Sequence, residues 1–200
     1  VADCEFDIAV FTNLTQDHLD FHKTMEGYFN AKLKLFTSLS NERGKMVKKL
    51  GIINIDDPYS KRILDAMKVK AVTYGFSRDA DIRPDDIRMG INGISFKAVT
   101  PKGIFPVESK LTGKYNIKNI LSAIGVGQGL GFDNSIITDG IRALESVSGR
   151  FEKIDEGQDF AVVVDYAHTE DALKRLLEAV KEFAKGRIIT VFGCGGDRDK

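Results

Sequence analysis

The 200-residue sequence has no tryptophan, four prolines and two cysteines, and its charges cancel, with 29 Lys+Arg against 29 Asp+Glu. Cys4 and Cys194 stand near opposite ends. They can build neither a disulfide framework nor a zinc-knuckle spacing, which points to a reducing cytoplasm. Neutral charge excludes the cationic surface of a non-specific nucleic-acid binder. It also excludes an acidic disordered tail and a polybasic membrane anchor. No apolar run approaches the roughly 18–20 residues that cross a bilayer. Nor does the N-terminus carry an initiator Met or the basic and apolar regions of a signal peptide. The abrupt opening on Val1 and the charged close on Asp197-Arg198-Asp199-Lys200 suggest a piece of a longer chain.

What is present is a chain with 42% hydrophobic residues, long enough for one large domain or two small ones. Asp7–Leu14, Gly51–Ile55 and Val69–Tyr74 read as strands, with helices predicted over Met25–Leu39, capped by Thr24, and over Tyr59–Met67. Short strands at Asp86–Met89, Ile94–Val99 and Ile104–Val107 are separated by Gly-Ile-Asn-Gly and Thr-Pro-Lys-Gly, an antiparallel insert. Helices follow at Ile117–Leu130 and Asn134–Leu144. Phe160–Asp165, Glu170–Ala184 and Arg187–Phe192 form a strand–helix–strand unit of parallel type. The best internal boundary lies near Glu145–Gly149, and the architecture is α/β.

Four constellations could carry chemistry. The first, Asn13 to His22, follows a strand end and holds His18, His22, Asp17 and Asp20. It suits a divalent metal or phosphate, or a polar loop that merely caps the next helix. The second is Lys32, set in an apolar stripe of Met25, Tyr28, Phe29, Leu33, Phe36 and Leu39. Such a lysine either snorkels to solvent or is held at a site, where lost solvation makes it nucleophilic, including toward carbon dioxide. The third is Asp165-Tyr166-Ala167-His168-Thr169, where Thr169 is a helix cap and Asp165 and Tyr166 suit a ribose and a base. The fourth, Gly193-Cys194-Gly195-Gly196-Asp197-Arg198, is a tight turn or an anion-binding loop. Gly125, Gly127, Gly129 and Gly131 follow a helix at the wrong spacing for a nucleotide fingerprint and read as close packing. Asn54-Ile55-Asp56-Asp57-Pro58 reads mainly as a helix start.

The order of these pieces, together with Gly113-Lys114-Tyr115-Asn116-Ile117-Lys118-Asn119 and Gly149-Arg150-Phe151-Glu152, resembles the Mur ligases, the ATP-dependent amino-acid-adding enzymes of peptidoglycan synthesis. The Asp-Tyr-Ala-His-Thr and Gly-Cys-Gly-Gly-Asp-Arg-Asp words are most similar to the branch that adds the third stem-peptide residue. The resemblance covers essentially the whole chain.

It implies a mostly parallel sheet of a P-loop-type central domain with an antiparallel insert, over residues 1–147. It also implies the beginning of a Rossmann-like C-terminal domain, over residues 148–200. The implied reaction is cytoplasmic in a bacterium. ATP phosphorylates a carboxylate of UDP-N-acetylmuramoyl-L-alanyl-D-glutamate, and a diamino acid then attacks the acyl phosphate. Meso-diaminopimelate is expected ahead of lysine. A folylpolyglutamate- or cyanophycin-type synthetase of the same superfamily is the alternative. By the same resemblance, His18 and a carbamylated Lys32 serve Mg2+ and catalysis. Asn116, Asn119, Arg150, Asp165, Tyr166 and His168 serve ATP, and Arg198 holds the carboxylate of the incoming amino acid. Glu170 stands where the family usually has proline, with little expected consequence. The Gly-rich phosphate loop and the uridine-nucleotide residues are expected before Val1, and the segment selecting the amino acid after Lys200. The implied protein is a monomer, and this piece alone is expected not to ligate.

Overall fold

The computed structural model describes residues 4–15, 19–39, 49–182 and 184–193. Three parallel strands, β1 (Ile8–Phe11), β2 (Leu50–Asn54) and β3 (Lys70–Tyr74), pair in the order β1-β2-β3. Every residue of the central strand, Leu-Gly-Ile-Ile-Asn, is buried, as expected where helices cover both faces of a parallel sheet. Because successive side chains point to opposite faces, Ile52 and Ile53 enter different cores, and both are fully buried. Ile53 joins Ala9 and Phe11 against Phe29 and Phe36 of α2 (Met25–Thr37) and Ile63 of α3 (Ser60–Ala66). Ile52 joins Leu50 and Tyr74 against Ile117, Leu121 and Ile124 of α4 (Lys114–Gly129). Each such burial is worth about 1.5–3 kcal/mol, and together they fix a helix–sheet–helix sandwich.

Thr24 caps α2 by accepting the Gly27 amide at 3.0 Å. A one-turn helix, α1 (Leu19–His22), precedes it. On α4 the glycines do pack closely. A methyl group at Gly125 would lie 3.0 Å from Ile52 Cγ2, and one at Gly129 2.6 Å from Leu50 Cδ2. Gly131 instead ends the helix in the left-handed region (φ 87°).

The insert is the antiparallel sheet β4 (Arg83–Gly90), β5 (Gly93–Thr100) and β6 (Gly103–Ser109), with two-residue turns at 91–92 and 101–102. It shares the α4 core through Ile94, Phe96, Ala98 and Val107. Gln128, itself buried, ties α4 to the insert and to α5 (Asn134–Ala143) by donating to Thr100 Oγ1 at 3.0 Å and Asn134 Oδ1 at 2.8 Å.

The last part departs from the predicted strand–helix–strand unit. β8 (Val162–Val164) pairs antiparallel with β7 (Glu152–Ile154), a strand with no clear signal in its sequence. α6 (Glu170–Lys181) follows, capped by Thr169, which accepts the Ala172 amide at 3.3 Å. Residues 187–193 form no strand, and Ile189, Val191 and Phe192 are exposed. An apolar run supplies propensity, but a strand also needs a neighbour for its ladder, and none is paired with it among the described residues. Among those residues, no helix is long and apolar enough to cross a membrane.

Candidate functional site

Two groups of sequence-predicted residues occupy different parts of the fold. The first lies where β1 ends. Lys32 projects from the middle of α2, half-buried, and its Nζ donates to the Asn13 carbonyl at 3.5 Å. The same nitrogen sits 4.9 Å from the centre of the Tyr28 ring, a cation–π distance. Tyr28 stacks on His22 with ring centres 4.9 Å apart and planes at 17°. Lys32 thus reaches toward the strand exit through a long, exposed contact, whereas Lys34 on the same helix is exposed. His18, the expected metal partner of Lys32, lies outside the described residues, as do Arg198 and Cys194. Among the described residues no cluster of three or more His, Cys, Asp or Glu could hold a metal.

The second group gathers around the start of α4 and the turn before β7. Gly113 takes φ 91°, and a Cβ there would meet the Tyr115 ring at 2.7 Å, so glycine lets the ring lie flat on the backbone. Asn116 is buried and donates to the Thr112 carbonyl at 2.8 Å, while its Oδ1 accepts from Asn119 at 3.1 Å. Asp165 closes the β7 turn by accepting the Phe151 amide at 2.8 Å, and its other oxygen accepts the Ala167 amide at 2.8 Å. Arg150 lies over the Tyr166 ring at 4.8 Å. Tyr166 meets His168 edge-on at 4.9 Å, and His168 Nδ1 sits 2.9 Å from the Tyr166 carbonyl. Thus Arg150, Asp165, Tyr166 and His168 form one cluster.

Tyr115 connects that cluster to α4, and sequence reasoning passed over it. Its hydroxyl is buried without a hydrogen-bond partner among the described residues. Burial, then the Asp165 carboxylate, push it up to about 12, against the opposing pull of Arg150. It is a protonated donor at neutral pH, sensing both charged groups. Its place beside Asn116 in Lys-Tyr-Asn was the available signal. A further tie is the Lys114–Glu182 ion pair, 2.7 Å, between the start of α4 and the end of α6. No hydrogen bond or ion pair among the described residues joins Lys32 to the Arg150–Asp165 cluster.

Asn54 and Asp57 were also underrated. Both are buried and hydrogen-bonded to the β1 exit, beyond the helix start their motif suggests. Their neighbour Asp56 accepts the Phe76 and Ser77 amides and pairs with Lys118 at 3.0 Å. Burial works to raise the Asp56 carboxyl, but those amides and Lys118 outweigh it and hold it below its ordinary value. Two concavities, about 690 and 410 Å³, lie along the insert and between α4 and α5. Of the candidate residues, only Asn119 borders either one.

Compared with known proteins, residues 1–127 match the Mur ligase middle domain, and residues 149–200 match the Mur ligase glutamate ligase domain. The chain belongs to the Mur ligase family. It is 46% identical over 200 residues to the UDP-N-acetylmuramoyl-L-alanyl-D-glutamate–2,6-diaminopimelate ligase of Geobacter sulfurreducens, covering all of this chain and 39% of that protein. With the ligase of the same name from Geobacillus kaustophilus it shares 45% over 196 residues, covering 98% and 40%. A solved structure of a diaminopimelate ligase of that name superposes with a TM-score of 0.73 at 36% identity, covering 98% of this chain and 40% of that one. The MurF ligase from Thermotoga maritima, solved in complex with ADP, has the same fold at 22% identity, with a TM-score of 0.72 over 89% of this chain and 40% of that one. This Mur ligase chain thus spans about two-fifths of the length of such relatives.

Proposed function

We propose that this Mur ligase chain is part of an ATP-dependent ligase that adds meso-diaminopimelate to UDP-N-acetylmuramoyl-L-alanyl-D-glutamate in a bacterial cytoplasm. The observation carrying this reading is its 46% identity across the whole chain to a ligase of that name. Residues 1–147 are the later part of the ATP-binding central domain, and residues 148–200 open the C-terminal domain. The complete enzyme acts as a monomer.

Transfer of the ATP phosphoryl group activates a carboxylate of the nucleotide-peptide as an acyl phosphate. The amine of the incoming amino acid attacks its carbonyl carbon, an amide forms, and phosphate leaves. The nucleotide is received by Asn116 and Asn119 on one side and by Arg150, Asp165, Tyr166 and His168 on the other. The buried Tyr115 hydroxyl between them, unpartnered among the described residues, supports a polar ligand there, since such a group is costly to leave unmatched. Asp165 spends one lone pair on each of two backbone amides and retains acceptor capacity for a ribose hydroxyl. Arg150, already stacked on Tyr166, offers a guanidinium fork to phosphate oxygens. Arg198 is assigned to the carboxylate of the incoming amino acid.

Lys32 fits a metal site in one chemical form. A hard cation needs oxygen donors, and an ammonium offers none. Reaction of the ammonium with carbon dioxide releases two protons and leaves a carbamate, an anionic oxygen ligand. His18 and carbamylated Lys32 would hold Mg2+, which offsets negative charge on the transferring phosphoryl group. The test is Lys32→Ala in the full-length protein. The expected result is loss of most ligase activity, partly restored by added small carboxylates. Unchanged activity would remove Lys32 from the site.

A further inference from the structure

The chain beyond the β1 ladder stays tethered by its backbone. The β1–β2 register ends at Phe11–Ile53, yet the next backbone groups are each gripped by a side chain from another element. Tyr74, the last residue of β3, donates its hydroxyl to the Phe11 carbonyl at 3.1 Å. Asn54, the last residue of β2, donates to the Thr12 carbonyl at 2.7 Å. Lys32 donates to the Asn13 carbonyl. Asp57 Oδ2 accepts the Leu14 amide at 2.9 Å. Four consecutive residues are therefore held by four side chains distant in sequence. Tyr74, Asn54 and Asp57 are 1%, 2% and 8% exposed, although Thr12 and Asn13 themselves are exposed.

Two of the gripping side chains are also held in turn. Asn54 Oδ1 accepts the Asp56 amide at 3.1 Å, and Asp57 Oδ1 accepts the Tyr59 amide at 2.9 Å. Neither amide group nor carboxylate can rotate without breaking two bonds. Phe11 and Leu14 are buried, so their backbone groups need these partners, but Thr12 and Asn13 are exposed and water would satisfy their carbonyls. Fixation is useful where the segment must present groups at a set distance from Lys32.

We propose that Asn54, Asp57 and Tyr74 are positioning residues that clamp the exit of β1 against Lys32, orienting a carbamylated Lys32. The inference rests on the ligase reading above. Carbamylation leaves one N–H on Lys32 Nζ, so the Asn13 carbonyl remains its acceptor and restricts rotation about that nitrogen. Tyr74, Asn54 and Asp57 set where the carbonyl sits. The three act through Phe11–Leu14 and touch no substrate.

The test uses full-length protein with Tyr74→Phe and Asp57→Asn, each close in shape to the original. Carbamate occupancy is read by carbon-13 NMR after equilibration with labelled bicarbonate. The Mg2+ concentration giving half-maximal ligation is read beside ADP affinity measured without Mg2+. Both variants are expected to lose carbamate signal and raise the Mg2+ requirement by about tenfold, the usual scale for supports of a metal ligand. ADP affinity stays unchanged. Gln128→Ala, which breaks a buried network elsewhere in the same domain, controls for lost stability and is expected to move neither metal readout. Should Asp57→Asn fail to fold, Tyr74→Phe decides alone. Variants that match the wild type while it shows the carbamate would overturn the clamp and leave the ligase reading intact. A wild type with no carbamate and no Mg2+ dependence would overturn both.

Discussion

Tyr115 and Asp56 show how differently two polar groups shielded from water are treated. The Tyr115 hydroxyl has no hydrogen-bond partner among the described residues, so it contributes no hydrogen bond to the fold. Tyr115→Phe is expected to leave the urea midpoint unchanged or to raise stability by up to about 1 kcal/mol. A clear drop in that midpoint would mean that the hydroxyl is bonded in the folded state. Asp56, in contrast, is fully engaged, and its pKa lies below its ordinary 3.8. A carboxyl lowered on folding contributes stability that is complete above its unfolded pKa and is lost as pH falls through the folded value. Asp56→Asn should therefore be destabilising near neutrality, and its deficit should shrink as pH drops below 3.8. Urea midpoints of both proteins at pH 6 and pH 3 read this directly, and a deficit that grows in acid would contradict it.

At the scale of elements, legibility followed the strength of local patterning. The α2 stripe with its Thr24 cap, the all-apolar β2 and the Gly-bounded hairpins of the insert are each specified by their own residues, and the structure has them within a few positions. β7 escaped notice because Glu-Lys-Ile is a strand only through its pairing with β8. Residues 187–192 show the converse, an apolar run with no ladder among the described residues. Lys32 stood out in the sequence because it interrupts an apolar stripe. Asn54, Asp57 and Tyr74 did not, since their partners are 42, 43 and 63 residues away and no local pattern encodes them. The small residues of α4 were legible as packing, and they set a testable limit. Gly125 faces Ile52 and Ile82, both fully buried. Gly125→Leu would force those side chains aside and is expected to cost about 1–3 kcal/mol, despite leucine's better helix propensity. An equilibrium unfolding curve superimposable on that of the wild type would show that the helix does not lie this close to the sheet.

At the scale of the whole molecule, the chain carries two sets of groups on separate elements. One is a lysine at the β1 exit, and the other is an arginine, aspartate and aromatic cluster before and after β8. Its zero net charge averages over them. In the proposed ligase the two sets would hold a cation and an anionic nucleotide. With only about two-fifths of the length of its relatives, the 200-residue chain by itself is expected to form no amide, and amide formation by it would contradict the assignment of missing parts. The central claim is the identity of the bond made by the full-length protein. The direct measurement is mass spectrometry of its product from ATP, Mg2+ and UDP-N-acetylmuramoyl-L-alanyl-D-glutamate with equal diaminopimelate and lysine. The expected result is a nucleotide-peptide heavier by one diaminopimelate residue, with one ADP and one phosphate released per bond. A product carrying lysine would correct the amino acid, and no extended nucleotide-peptide with either amine would contradict the ligase reading itself.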